Sequence, residues 1–116
     1  MTIEFECFEK LEIKIGKILS AEKVEGSDKL LKLEVDIGNE KKQIVAGIAE
    51  TFKPENLVGK EIPIIANLEP RKIRGIESQG MVLIVDTNEK LVMLSPEEEV
   101  PPGVLLDNRY SKTILQ

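Results

Sequence analysis

The sequence contains no histidine and no tryptophan, and it has a single cysteine, Cys7. Without histidine, neither a Ser-His-Asp nor a Cys-His catalytic arrangement can be assembled. One cysteine cannot supply the roughly four ligands of a Cys/His zinc site. It also cannot form a disulfide within the chain, which fits a reducing cytoplasm. These absences count against an enzyme, and we expect no catalytic residues, no cofactor and no metal.

Long apolar runs and targeting signals are also lacking. The longest apolar stretches, such as Met81–Val85, have the length of a β-strand and fall far short of a membrane span. The opening residues Met1–Glu6 have neither the basic region nor the apolar region of a secretory signal. We therefore expect a cytoplasmic protein that makes no use of a membrane.

Basic residues are outnumbered and aromatic residues are few. The 116 residues include 16 Lys and Arg against 21 Asp and Glu, which gives a net charge of −5. This balance argues against an indiscriminate nucleic-acid coat protein, which would be basic. The four aromatic residues, Phe5, Phe8, Phe52 and Tyr110, lie outside the second to fifth predicted strands. Stacking of successive bases on a sheet is therefore not expected, and any RNA would be recognised by shape and backbone.

Alternation of apolar and polar residues predicts β-strands along most of the chain. The parity of the apolar positions changes beside Gly16, which predicts a bulge or sharp bend in one long first strand. Gly38 and Asn39 predict a hairpin between the second and third strands. Pro63 indicates that the fourth strand is an edge strand or is irregularly paired. The strands predicted after the first are 31–37, 41–46, 61–67 and 81–85, and a turn at 87–90 leads into 91–94.

Two short helical segments complete the prediction. Phe5 and Phe8 at i and i+3 predict a helical turn within residues 1–10, and Pro54 and Gly59 suit the ends of a short helix between strands three and four. Five hairpin-linked strands with that helix favour an all-β five-stranded Greek-key barrel of the oligonucleotide/oligosaccharide-binding (OB) kind. An SH3-like barrel and a small sandwich remain alternatives. We expect one domain over residues 1–116, with a C-terminal strand and turn extension over 95–116.

Positive charge is concentrated in the segment between the fourth and fifth strands. From Pro70 to Gly80 there are three basic residues and one acidic residue, a local charge of +2. A positive cluster on an acidic background suits selective phosphate binding. Glycine allows close approach of a ligand, and neighbouring polar side chains can donate to phosphates or the 2′-hydroxyl. A surface turn without function is the alternative. The residues concerned are Asn67, Arg71, Lys72, Arg74, Gly75, Ser78, Gln79 and Gly80.

Two other charged sets are expected to be solvated surface. Basic residues on the second and third strands are interspersed with acidic ones, and only Lys29, near the loop end of its strand, is placed to extend a groove that follows an RNA backbone. Glu97–Glu99 is expected to be an acidic turn rather than a divalent-cation site. The basic residues of the first set are Lys29, Lys32, Lys41 and Lys42.

Several segments, in order, resemble stand-alone tRNA-binding domains. They are Phe8–Ile18, Ser27–Gly38, Ile44–Ile48, Phe52 (where Tyr is usual) before Lys53-Pro-Glu, and Ala66–Met81. The resemblance covers about residues 5 to 105. It is closest to the domain appended to methionyl-tRNA synthetases, or to its free-standing β subunit, and related members include a bacterial secretion chaperone.

The resemblance implies an OB barrel that binds tRNA by shape, delivers it to a synthetase and forms a homodimer through its termini. Carried over by position, it implies that the tRNA-contacting residues are Asn67, Arg71, Lys72, Arg74, Ser78, Gln79 and Met81, with Lys29 beside them. We therefore predict a non-catalytic tRNA-binding module, a methionyl-tRNA synthetase β subunit or a similar cofactor. The alternative is a homodimeric chaperone that binds unfolded peptides in an exposed apolar cleft.

Overall fold

The computed structural model describes residues 1–106. Residues 107–116, which include Tyr110 and the end of the predicted extension, lie outside the described residues. The helices are α1 (Phe5–Glu9) and a 3-10 turn (Pro54–Asn56), as predicted. The strands are β1 (Ile13–Lys23), β2 (Leu31–Asp36), β3 (Lys41–Ala46), β4 (Glu61–Ile65), β5 (Arg71–Ile73), β6 (Ile76–Ser78), β7 (Met81–Val82), β8 (Val85–Asp86) and β9 (Leu91–Val92).

Five antiparallel strands form a nearly closed barrel in the order β3-β2-β1-β4-β7. This arrangement is an OB-like fold, which confirms the predicted class over the SH3-like barrel and the small sandwich. The alternating apolar residues of β2 all point inward, because successive side chains of a strand face opposite sides. The core consists of Ile18, Leu31, Leu33, Val35, Ile37, Ile44, Ile48, Leu57, Ile62, Ile64 and Ala66.

The first strand is long, as predicted, and it serves both halves of the barrel. Residues 13–17 pair with β4, and residues 17–23 pair with β2. The register with β2 shifts between Ile18 and Ser20, so the irregularity comes just after the predicted position beside Gly16. Gly16 has a different role, because a Cβ atom there would clash with the side chain of Val35. The glycine thus lets β1 approach β2 closely at the point where the sheet curls.

Strand β4 lies between β1 and β7, so the prediction that Pro63 marks an edge strand was wrong. Its register with β1 and with β7 runs without a shift, so the predicted irregular pairing is not observed. Pro63 accepts a hydrogen bond from the N–H of Leu83 at 3.0 Å but has no N–H to return. The predicted fifth strand is correspondingly short: β7 ends at Val82, and the chain then forms the β8–β9 hairpin, closed by the predicted turn at Thr87–Lys90.

A C-terminal strap, defined here as Val100–Leu106, lies along β1 and ties the end of the described chain to the barrel. Gly103 N–H donates to the carbonyl of Ile15 at 2.7 Å, and the Ile15 N–H donates to Val104 at 2.9 Å. The N–H of Val100 donates to Oε1 of Glu61, a carboxylate that is largely buried under the strap, at 2.9 Å. The strap therefore continues the β-structure of the barrel beyond its fifth strand.

Candidate nucleic-acid interface

The basic segment between β4 and β7 folds into a hairpin. Strands β5 and β6 pair over three residue pairs, from Arg71↔Ser78 to Ile73↔Ile76. The two residues of the turn have positive φ, 52° at Arg74 and 79° at Gly75. Two positive φ values are the mark of a type I′ turn, whose twist matches that of a hairpin. We call residues 71–78 the cationic hairpin.

The three basic side chains of the cationic hairpin are exposed and have no acidic partner among the described residues. Within residues 1–106, ion pairs join Lys14 to Glu12, Lys32 to Glu22 and Lys42 to Glu40, and none involves the hairpin. Glu77 lies opposite Lys72 in the register but no nitrogen–oxygen distance within 4.0 Å joins them. Arg71, Lys72 and Arg74 are therefore available to an anion from outside the chain.

The tip of the cationic hairpin lies beside the loop that connects β1 to β2. A Cβ atom built on Gly26 of that loop would stand 3.9 Å from Nη1 of Arg74. The same loop carries Lys29, which is exposed, and its N–H is held by Oγ of Ser27 at 3.2 Å. The fold thus places the loop that carries Lys29 beside Arg74, although the two basic residues are 45 positions apart in sequence.

Ser78, one of the predicted RNA contacts, does not present its hydroxyl group to solvent. The residue is 4% exposed. Its Oγ accepts the N–H of Val45 at 3.0 Å and donates to the carbonyl of Gly80 at 3.2 Å. Because both capacities of the hydroxyl are used inside the chain, Ser78 joins the hairpin to the outer edge of β3 and helps to close the barrel.

Gln79 continues this closure. Its N–H donates to the carbonyl of Gln43 at 2.7 Å, and its Oε1 accepts the Gln43 N–H at 2.9 Å. Gln43 in turn donates from Nε2 to the carbonyl of Glu77 at 2.9 Å. The side-chain carbonyl of Gln79 thus takes the place that a backbone carbonyl of a neighbouring strand would occupy beside β3. Gln43 is not among the site residues predicted from the sequence. Its place on the edge strand β3 is the one feature that could have indicated its role.

Asn67 clamps the segment that precedes β1. Its Oδ1 accepts the N–H of Glu12 at 2.9 Å, and its Nδ2 donates to the carbonyl of Lys10 at 2.6 Å. The residue is exposed, but both ends of its amide are used within the chain. Asn67 therefore connects α1 to the start of the cationic hairpin segment.

Replacing Asn67 with alanine removes both of these hydrogen bonds. We expect the free energy of unfolding to fall by about 1 kcal/mol, because the freed backbone groups remain accessible to water. Urea denaturation measures the change, with Asn56→Ala on the exposed 3-10 turn as the matched control. An Asn67→Ala protein of unchanged stability that binds tRNA more weakly would instead make Asn67 an RNA contact.

Met81 is 43% exposed and lies at the rim of an apolar pocket of about 690 Å³. The pocket opens between the end of β3, the start of the basic segment and β7. Sequence reasoning missed it, because its walls come from four separate stretches of chain. The residues that line the pocket include Gly47, Ile48, Leu68, Glu69, Pro70, Arg71, Gly80 and Met81.

The remaining charged residues support the predicted solvated surface. Lys32 and Lys42 form ion pairs with Glu22 and Glu40, at 2.7 and 3.4 Å. Over residues 1–106, no group of three or more Cys, Asp or Glu side chains is placed to hold a metal ion. No helix in that part of the chain is long and apolar enough to cross a membrane.

Fold and site together define a small OB-like barrel that carries one hairpin of unpaired cations. Residues 13–105 match the family described as "Putative tRNA binding domain". The chain belongs to this tRNA-binding domain family, as the sequence resemblance implied. The family is a non-catalytic domain, and relatives named as ligases are enzymes through their other domains.

Related sequences and structures agree. Methionine--tRNA ligases of Methanothrix thermoacetophila and Thermotoga maritima are 55% and 52% identical over 101 residues, 87% of this chain. The chain spans only about 15% of the length of these curated relatives. A "MetRS related protein" from Pyrococcus horikoshii superimposes with a TM-score of 0.86 at 40% identity, covering 91% of this chain and 98% of that one.

A second solved structure carries a different name. The "chaperone CsaA" of Bacillus anthracis superimposes with a TM-score of 0.82 at 31% identity, covering 92% of this chain and all of that one. The same barrel therefore occurs in proteins that are named for a synthetase and in proteins that are named for chaperoning.

Proposed function

We propose that this chain binds tRNA through the cationic hairpin and delivers it to a methionyl-tRNA synthetase, as a β subunit or similar cofactor in the cytoplasm. The observation that carries the proposal is the set of three exposed, unpaired cations on a hairpin held rigidly against an acidic barrel. Arg71, Lys72 and Arg74 contact phosphates, and Lys29 extends the contact along the neighbouring loop. The membership of the family and the ligase names of its relatives support this proposal.

The other members of the predicted contact set take different roles in this proposal. Ser78, Gln79 and Asn67 position the hairpin, because their polar atoms already bond within the chain. Met81 belongs to the adjacent pocket. Gel shift of tRNA with increasing protein tests the function directly, and a pull-down from the native cell asks whether methionyl-tRNA synthetase accompanies the protein. Absence of tRNA binding at low salt would contradict the proposal.

We propose further that the chain forms a homodimer through its termini. The rings of Phe5 and Phe8 pack in a tilted arrangement with their centroids 6.1 Å apart, yet the residues are 46% and 37% exposed. Leu105 and Leu106 of the strap, which pairs with the start of β1, are about half exposed. A dimer interface would cover these apolar side chains. A dimer would also present two cationic hairpins to one tRNA.

Light scattering at micromolar concentration is expected to give twice the mass of one chain. The double variant Phe5→Ser, Phe8→Ser is expected to give the single mass, because it removes the apolar contact of α1. Val58→Ser, an exposed apolar residue on the loop before β4, is the matched control and should leave the mass unchanged. A monomeric mass for the unaltered chain would contradict the dimer.

Peptide holding is the second candidate function, and the likeness to the Bacillus anthracis chaperone together with the apolar pocket favours it. In this function the pocket would hold apolar side chains of an unfolded peptide. Calorimetry with an unfolded peptide, beside gel shift with tRNA, separates the two functions. Peptide binding without tRNA binding would replace the leading proposal.

A further inference from the structure

The apolar pocket adjoins the cationic hairpin and shares a residue with it. Arg71 begins β5 and also lines the pocket, while Lys72 and Arg74 follow on the same hairpin. A phosphate that contacts Arg71 therefore lies at the mouth of an apolar space. The size of this space, about 690 Å³, is in the range of small-molecule sites. A nucleoside attached to that phosphate is the nearest group that could enter it.

The walls of the pocket suit one flat apolar group. Ile48, Pro70 and Met81 supply apolar contact, and a base that leaves its stack is held between apolar or aromatic side chains. Gly47 carries no side chain, and a Cβ atom built on it meets no atom within 4 Å, so the backbone there is open to close approach. At Gly80 a Cβ atom would stand 2.9 Å from the carbonyl oxygen of Ile65, so the opposite wall is closed by backbone.

One wall of the pocket carries an acceptor. Glu69 lines the pocket and forms no ion pair with any described residue. A carboxylate accepts hydrogen bonds from the exocyclic amino groups of bases and offers none in return. The one donor on the uracil edge, N3–H, lies between two carbonyl oxygens that repel a carboxylate, so Glu69 favours a base that bears an amino group.

An extended peptide fits the pocket less well. Peptides that add to a sheet edge gain affinity from main-chain hydrogen bonds. The edge nearest the pocket is that of β3, and its N–H groups at Gln43 and Val45 are already bonded to Gln79 and Ser78. The pocket thus offers contact for an inserted group and no free edge along which a strand could pair.

We propose that the apolar pocket receives one unstacked nucleoside of bound tRNA, with an amino-bearing base at Glu69 and the adjoining phosphate at Arg71. This inference rests on the proposed function. It adds one base contact to an interface whose other contacts are made with the RNA backbone. Unpaired bases in RNA loops are the ones that can be turned out for such a contact.

Filling the pocket tests the inference on tRNA. Gly47→Leu is expected to lower the affinity about tenfold, the scale of one base contact, and to leave the salt dependence unchanged because no phosphate contact is lost. Leu68→Asn, which keeps the size of an exposed lining residue and removes its apolar character, should act in the same direction. Thr51→Leu adds similar bulk on an exposed residue outside the pocket and should have no effect. Unchanged tRNA affinity in both pocket variants overturns the inference.

Free nucleotides test the pocket without tRNA. Titration with AMP is expected to shift the NMR amide signals of Gly47, Ile48 and Gly80 in the unaltered chain and not in Gly47→Leu. UMP should bind more weakly than AMP and CMP, and Glu69→Gln should reduce that difference. If AMP, CMP and UMP shift these signals equally, and do so in Gly47→Leu as in the unaltered chain, the pocket is not a nucleoside site.

These two experiments separate the inference from the function on which it rests. Nucleotide shifts at the pocket without tRNA binding would overturn the proposed function and leave a nucleoside site. If replacing the hairpin cations weakens tRNA binding, while Gly47→Leu and added AMP leave the tRNA affinity unchanged, the inference alone is overturned. Loss of peptide binding in Gly47→Leu with unchanged tRNA binding would assign the pocket to a peptide, which also overturns it.

Discussion

Simultaneous replacement of Arg71, Lys72 and Arg74 with alanine is expected to weaken tRNA binding about hundredfold at about 150 mM salt. Each contacted phosphate releases condensed counterions, so the log of the affinity falls with the log of salt at about 0.9 per contact. Three lost contacts therefore lower the slope by about 3. At about 150 mM each contact of this kind is worth roughly a factor of five, which multiplies to about a hundred.

The measurement is a series of tRNA titrations between low and physiological salt, with single variants alongside the triple variant. Arg74→Ala alone should lower the slope by about 1. The matched control replaces Lys10, Lys53 and Lys60, which are exposed and form no ion pair among the described residues. It removes the same total charge, so it separates contact at the hairpin from a general effect of net charge.

An equal loss in the control triple variant would show that tRNA responds to total charge and not to the hairpin. An unchanged slope in the hairpin triple variant would remove the proposed interface altogether. The acidity of the chain makes this comparison sensitive, since a net charge of −5 leaves little attraction that is not local.

The fold was predictable to a large extent because its strands bury one face. Alternation in 31–37 required those apolar residues to share a side, and that side became the core. Two details were not predictable from the pattern. Pro63 does not mark an edge, because the far side of β4 is covered by β7, which is remote in sequence. The position of the bulge depends on how β1 divides its pairing between β2 and β4, which local sequence does not specify.

The charge of the candidate site was predictable from the sequence, but the separate roles of its residues were not. A run of basic residues between Pro70 and Gly75 is visible in the sequence, and its residues do form one exposed hairpin. Whether a polar residue contacts solvent or closes the barrel depends on partners far along the chain. Ser78 meets Val45 across 33 positions, and Asn67 meets Lys10 across 57. Such pairings carry no local signal, so the predicted contact set mixed two kinds of residue.

Ser78→Ala is expected to lower the free energy of unfolding by about 2 kcal/mol, because one buried and one partly buried backbone group lose their partner. The hydroxyl of Ser78 now satisfies the N–H of Val45 and the carbonyl of Gly80, and alanine offers neither an acceptor nor a donor. Urea denaturation followed by circular dichroism measures the change. Ser20→Ala, an exposed serine on β1, is the matched control and should stay within about 0.5 kcal/mol of the unaltered chain.

The same variant discriminates between the two roles of Ser78. If the hydroxyl closes the barrel, stability falls while the salt slope of tRNA binding, measured well below the melting temperature, stays that of the unaltered chain. If the hydroxyl donates to RNA, affinity falls and stability does not, which would contradict the geometry. The first result would mean that the hairpin binds because Ser78 and Gln79 fix it to β3, so that its three cations are presented at little further cost in conformational entropy.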